Sequence, residues 1–253
     1  MTGRGRSEFL GVRCIGSELE IYFLLDAQFT LKNARKRLSN LKQSIEGGEY
    51  FDVDKITAYP HPRKHGVFSN DLPNPLNYIS PEIGAIATES RAVLDQLLYA
   101  AIVSRLGRDP TNRPQFPICK KLEHFQLRIK PDLEGLQIDD ITFIQQWQPY
   151  NGHDWLRLLK DMADSHKHRK NVFLRAPDGV TLHGSAVYSN TSTEDFFVLP
   201  TSGVRVPKSV QVNARFKGKI TLEDGRPVIE TLEIIHAEIA SLLDLFKARF
   251  NLT

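Results

Sequence analysis

Cysteine is nearly absent from this chain. Cys14 and Cys119 are the only two in 253 residues. That is too few for a disulfide scaffold or a cysteine-based zinc site, and it suits a reducing cytoplasm. Long hydrophobic runs are also missing. The longest, Leu94 to Val103, is broken by Asp95 and Gln96, well short of the roughly 20 apolar residues that span a bilayer. The basic start, Met1 to Arg6, is followed by no long apolar stretch, so no signal peptide and no membrane association are expected. Charge of one sign is scarce: 33 Lys and Arg stand against 30 Asp and Glu, a net +3 that offers no global field for nucleic acid. Neither a Gly-rich phosphate loop nor a dinucleotide fingerprint occurs, and Gly-X-Ser-X-Gly and His-Glu-X-X-His are also lacking. These absences remove the sequence grounds for nucleotide-driven transfer, dinucleotide redox chemistry, an elbow-type serine hydrolase and a zincin. No cofactor and no metal are expected.

Amphipathic helices are abundant. Over 22–45, Leu24, Gln28, Leu31, Ala34, Leu38, Leu41 and Ile45 recur at steps of three and four. Lys32, Arg35, Lys36, Arg37 and Lys42 lie off that stripe, and Gly47-Gly48 stops the helix. A second helix is predicted over 81–106, opened by Ser80 as cap, Pro81 and Glu82, and ended by Gly107. Its stripe is Ile83, Ile86, Ser90, Val93, Leu97 and Ala101, and from Leu97 onward it should be buried all round. Within it, Arg91 and Asp95 are placed to pair along one face. A third helix spans 153–167, with Trp155, Leu158, Leu159 and Met162 toward the core, and a shorter one is expected near 139–146. The last spans 228–250, with Val228, Leu232, Ile235, Ile239, Leu242 and Phe246.

Between the third and last helices the pattern changes to short apolar runs: 172–174, 186–188, 196–199, 210–216 and 220–222. Val210 to Phe216 alternates, and Glu223-Asp-Gly-Arg226 is a turn signal. Tyr50 to Ile56 also alternates, as a strand facing Gly66 to Phe68. The expected fold class is α+β: mainly helical, four long helices forming a bundle, with a small antiparallel β element over about 171–226 inserted before the last helix. Residues 1–18 have no clear period and are expected to be a flexible tail, with 19–253 a single domain.

The order of several short motifs is distinctive. Ser90-Arg-Ala-Val-Leu-Asp95-Gln-Leu-Leu-Tyr-Ala comes first, then Phe116-Pro-Ile118, Gln148-Pro-Tyr150, and Leu156-X-X-Leu-X-X-Met-Ala-Asp-Ser-His-Lys-His-Arg169. Over about 22–175 the chain resembles a group of uncharacterised bacterial proteins whose consensus runs Arg-Ser-Ala-Leu-Asp-His, Phe-Pro-Ile, Gln-Pro-Tyr, Asp-Lys-His-Arg. Here Gln96 replaces the first His, and an extra Ser-His precedes Lys167-His168-Arg169. The helical part also looks like the HEPN superfamily, small bundles found in nucleases and nucleotide-binding proteins. That resemblance implies a HEPN-like four-helix bundle. The ribonucleases of that superfamily carry Arg, four to six residues, then His on one helix. Arg157 is followed by His only at 166, Arg175 only at 183 and Arg226 only at 236, so the ribonuclease spacing is not met.

The chemistry concentrates at the end of the third helix, in Asp164-Ser-His-Lys-His-Arg169. Arg169 can hold an anion bidentately, and His166 or His168 can exchange a proton near neutral pH, with Asp164 alongside. Arg91 and Asp95 are expected to join them as anion-binding groups. A small phosphorylated or ester ligand is therefore the expected partner, and a phosphoester or carboxylester hydrolase the expected activity if the chain is an enzyme. A structural reading accounts for the same residues. Basic groups suit a helix C-terminus, and Arg169 with Asp95, or Arg91 with Asp164, could tie two helices together. Asp164, His166 and His168 alternate, as ligands on a strand would, which does not suit a helix. Nucleic acid is the less favoured partner. The six Lys and Arg against three Asp over 151–175 are explained as well by a solvated helix face. The competing function class is a non-catalytic interaction module, RNA-binding or homodimeric through helix faces.

Overall fold

The computed structural model describes residues 9–47, 60–61, 64–67, 76–167, 172, 174–175, 180–186, 193–198, 210–216 and 220–252. The chain is mainly helical, and the described residues form six α-helices: α1 (Phe9–Gly47), α2 (Leu76–Leu106), α3 (Leu122–Asp132), α4 (Ile138–Gln146), α5 (Asp154–Lys167) and α6 (Val228–Phe250). Two compact units are present. One contains 1–36, 85–169 and 232–253, the other 37–84 and 170–231, and the division runs through α1, α2 and α6.

The apolar stripes are buried as helical periodicity requires. Leu24, Leu31, Ala34, Leu38 and Leu41 of α1 are buried, as are Ile83, Ile86, Val93, Leu97 and Ala101 of α2. All six stripe residues of α6, from Val228 to Phe246, are buried too. On α5 the core side takes Trp155, Leu156, Leu159 and Met162, while Leu158 is only half-buried. The helix α1 begins at Phe9, inside the segment expected to be a tail. Once a helix is nucleated, each further residue adds a hydrogen bond without needing an apolar period.

The start of α2 also differs from its sequence signal. The helix begins at Leu76, and Pro81 lies inside it. The hydroxyl of Ser80 does not cap; it donates to the carbonyl of Val172 at 2.9 Å. Ile79, fully buried, gives the earlier turn its anchor. Downstream, two short helices lie within the stretch from Gly107 to Tyr150. Leu133 and Leu136, both buried, hold the connection between α3 and α4. At Gly135, φ is +75° and a Cβ would meet Leu106 at 2.3 Å, so this turn requires glycine.

Among the described residues, the strands all belong to the second unit and pair antiparallel. β4 (Val180–Ala186) lies between β5 (Thr193–Val198) and β6 (Val210–Phe216), with Leu182 in register with Phe196 and Ala214. β3 (Leu174–Arg175) pairs with β7 (Thr221–Leu222), and β1 (Pro60–His61) with β2 (Lys64–Val67). The strand expected over 50–56 lies outside the described residues. Among the described residues, no helix is long and apolar enough to cross a membrane.

Candidate functional site

The motifs that are dispersed in the sequence meet in the first unit. Along α2, Arg91 and Asp95 form an ion pair of 3.3 Å. Both also grip the same residue of the irregular segment that follows. Oδ1 of Asp95 accepts the backbone N–H of Phe116 at 2.8 Å, and Nη2 of Arg91 donates to the Phe116 carbonyl. Gln148 repeats the device one and three residues on. Its Oε1 accepts the Cys119 N–H at 2.9 Å, and its Nε2 donates to the carbonyls of Pro117 at 2.9 Å and Ile144 at 3.2 Å. Phe116 to Cys119 is thus a buried non-helical stretch whose backbone groups are satisfied by side chains, as burial demands. The Phe116–Cys119 segment supplies the backbone, and Gln148 the amide that reads it.

Burial sets the electrostatics here. It pushes the Asp95 carboxyl up, against the opposing pull of Arg91 and the Phe116 N–H. It also lowers the pKa of Arg91, whose side chain is 12% exposed, against the fields of Asp95 and Asp164. Lys167 acts on Asp95 through space. The C-terminal half of α5 is therefore close enough to influence both α2 residues. Asp164 makes its own ion pair within α5, with Lys160 at 2.6 Å, and Arg91 pairs along α2. The interhelical Arg91–Asp164 pair weighed from the sequence gives way to these two local pairs, since one helical turn already brings each partner within reach. His166 is half-buried in the last turn of α5. His168 and Arg169 lie outside the described residues.

Several participants have no obvious sequence signal. Arg128 pairs with buried Asp132 at 2.5 Å, and both act on Arg91 and on the Cys119 thiol. Cys119 and the Tyr150 phenol are both pushed up by burial, so neither is an activated nucleophile. Elsewhere in the same unit, buried His236 hydrogen-bonds Ser90 through Nε2 at 2.8 Å. Among the described residues, no group of three His, Cys, Asp or Glu side chains is arranged to hold a metal ion.

One atom stands out in the cluster. Among the described residues, Nη1 of Arg91 is buried and has no hydrogen-bond partner, while Nη2 is fully employed. The Tyr150 hydroxyl, near enough to feel the Cys119 charge, is likewise buried and unpartnered among the described residues. A buried donor left unsatisfied costs about 1–3 kcal/mol. The charges acting on Arg91 are those of Asp95, Asp164, Arg128 and Asp132, while Lys167 acts on Asp95. In comparisons with known proteins, no family model matches the chain, and neither does any curated protein or solved structure.

Proposed function

We propose that this chain binds a small phosphorylated or ester ligand beside Arg91, at the C-terminal end of α5. The observation that carries this reading is the buried, unpartnered Nη1 of Arg91. A phosphoryl or carboxyl oxygen placed there would complete the guanidinium's hydrogen bonds, and charge-assisted bonds of this kind are the strong ones. Arg91 and Asp95 are already committed to Phe116, so their part is positional and anion-binding, with no proton to transfer. In the hydrolytic form of the proposal, His166 or His168 acts as acid and base, Asp164 orients it, and Arg169 supplies a second guanidinium to the anion. The helical unit is then of HEPN-like four-helix type with two added short helices. The two-cysteine composition supports a cytoplasmic setting.

The experiment pairs binding with turnover. Inorganic phosphate and p-nitrophenyl phosphate are titrated calorimetrically, and release of p-nitrophenol is followed from its phosphate and acetate esters. Binding should weaken at least about tenfold in Arg91→Lys, which keeps the charge but loses the fork. Hydrolysis should fall in His166→Gln or His168→Gln with binding retained. Wild-type affinity for both phosphates in Arg91→Lys would overturn the binding site, and unchanged turnover in both His variants would overturn the catalytic form alone.

A second reading, a non-catalytic interaction module, has its own observation. On α1, Tyr22, Leu25 and Phe29 are 63%, 58% and 62% exposed and recur at steps of three and four, off the buried stripe. Single exposed apolar residues are ordinary, but a row of three invites a partner. If the partner is a second copy, sedimentation should show concentration-dependent dimers that Phe29→Lys converts to monomers.

A further inference from the structure

A second place in the first unit combines buried charge with open space. Asp140, in the first turn of α4, is 2% exposed, yet it receives two guanidinium groups. Arg105 of α2 approaches with Nε at 2.8 Å and Nη2 at 3.0 Å, and Arg249 of α6 with Nε at 3.0 Å. Each guanidinium also lies over a ring, Arg105 over Phe250 at 5.0 Å and Arg249 over Phe143 at 5.2 Å. Asp140 and the two rings thus fix both planes. Among the described residues, Nη1 of Arg105 and both terminal nitrogens of Arg249 make no hydrogen bond. Arg105, Asp140 and Arg249 line a groove of about 540 Å³ with Phe143, Leu245 and Ala248 as its apolar wall. Leu245 is 41% exposed there.

Two rigidly held guanidinium groups beside an apolar wall are what recognises an anionic head on an apolar body. The charge count selects among anions. Asp140 and Asp139, which also lines the groove, offset the two arginines, so a monoanion fits better than a dianionic phosphate monoester. A structural role for the network explains why Asp140 is buried between its arginines. It does not explain the open groove at their free edges or the exposed leucine. We propose that this groove binds a carboxylate carried on an apolar body, with the carboxylate on the free edges of Arg105 and Arg249 and the body against Phe143, Leu245 and Ala248. Such a group occurs on free aryl or alkyl acids and at the C-terminus of a peptide ending in an apolar residue. This site shares no residue with the one beside Arg91, so either can fail alone.

The test is a titration of the full chain followed by ¹H–¹⁵N NMR and calorimetry. Phenylacetate, inorganic phosphate, and a short peptide ending in Leu, with its C-terminus free or amidated, are compared. Phenylacetate or the free-acid peptide should shift resonances of 137–143 and 245–249, and whichever binds more tightly identifies the source. Amidation should abolish peptide binding. Arg249→Gln should weaken binding about tenfold or more through the lost charged hydrogen bond. Asp139→Asn should strengthen it, about threefold, by removing a competing charge. Because Arg249→Gln also disturbs Asp140, Leu245→Glu serves as a second variant. It leaves the arginines and Asp140 in place on an exposed wall and should abolish binding. The proposal is overturned if neither carboxylate binds, if phosphate binds more tightly than phenylacetate, or if Leu245→Glu binds as the wild type does.

Discussion

His236 is a residue whose burial has a large electrostatic consequence. It is 3% exposed, and burial together with the nearby Arg35 charge lowers its pKa from 6.5 to about 4. Ser90 Oγ donates to the Ile86 carbonyl at 2.8 Å, so its lone pair is left to accept from His236 Nε2–H. Nδ1 is then the bare nitrogen, buried without a partner among the described residues. Protonating it would place an unsatisfied cation in the core. The unfolded chain takes up that proton as pH falls below about 6.5, whereas the folded chain resists until about 4. The folded state is therefore favoured above the unfolded pKa and loses ground as pH drops through this window, by up to about 3 kcal/mol. Urea unfolding of the wild type and His236→Gln at pH 7 and pH 4.5 checks this. The difference between the two proteins should shift toward the variant at the lower pH, and parallel pH dependences would show that His236 does not resist protonation.

Asp140 has the opposite sign. Burial alone would raise its carboxyl, but the hydrogen bonds and charges of Arg105, Arg249 and the Gln137 N–H outweigh it, and its pKa is lowered. Its contribution is present above the usual carboxylate pKa and is lost as pH falls through the depressed folded value. Asp140→Asn removes the charge while keeping much of the shape. It should cost about 2 kcal/mol at pH 7, the range of hydrogen bonds to charged groups, discounted because both arginines are nearly one-third exposed. Chemical denaturation at pH 7 reads this directly, and the cost should shrink as the pH is taken below 4.

At the scale of elements, the stretch Phe116 to Cys119 shows how a non-helical segment is retained inside a helical unit. Gln148 is 0% exposed and makes three hydrogen bonds to carbonyl and amide groups there and on α4. Replacing it with Leu keeps the volume and strips every one of those bonds. The expected loss is about 3 kcal/mol or more, because each buried backbone group left unpaired costs about 1–3 kcal/mol. Gln148→Glu retains the acceptor for the Cys119 N–H but turns a carboxylate oxygen toward two carbonyls. In amide hydrogen exchange, Gln148→Leu should lose the protection of Cys119, whereas Gln148→Glu should keep more of it despite lower global stability. Equal protection of Cys119 in wild type and Gln148→Leu would mean that the Gln148 bond does not hold this segment.

For the molecule as a whole, the core is apolar and extensive in the helices, with Phe116, Phe125, Phe246 and Phe250 among its fully buried side chains. Phe246 stacks against Phe143 and Phe250 at centroid distances of 5.3 Å in each case. Dispersion and burial on this scale need no metal staple. Helical circular dichroism should be unchanged by excess chelator at neutral pH. Loss of the helical signal on chelation, restored by zinc, would reveal a structural metal that the helical core conceals.

The sequence by itself determined the four long helices and which side of each is buried, because periodicity is local and burial of an apolar stripe has one solution at 3.6 residues per turn; the short helix α3 was not legible there. Leu24 to Leu41 and Val228 to Phe246 were readable in this way. The pairing of Arg91 with Asp95 was also local, one turn apart. Helix starts were less legible. Ser80-Pro81-Glu82 has the chemistry of an N-terminus, yet buried Ile79 and the Ser80–Val172 bond carry α2 back to Leu76. Only the tertiary structure decided that Asp95, Arg91 and Gln148 hold the backbone of Phe116 to Cys119, and that His236 bonds Ser90 across 146 positions. It alone brought Arg105 and Arg249 onto Asp140. The physical reason is the same in each case. A side chain's polar partner is chosen by which buried donor or acceptor lacks one nearby, and sequence spacing carries no record of that shortage.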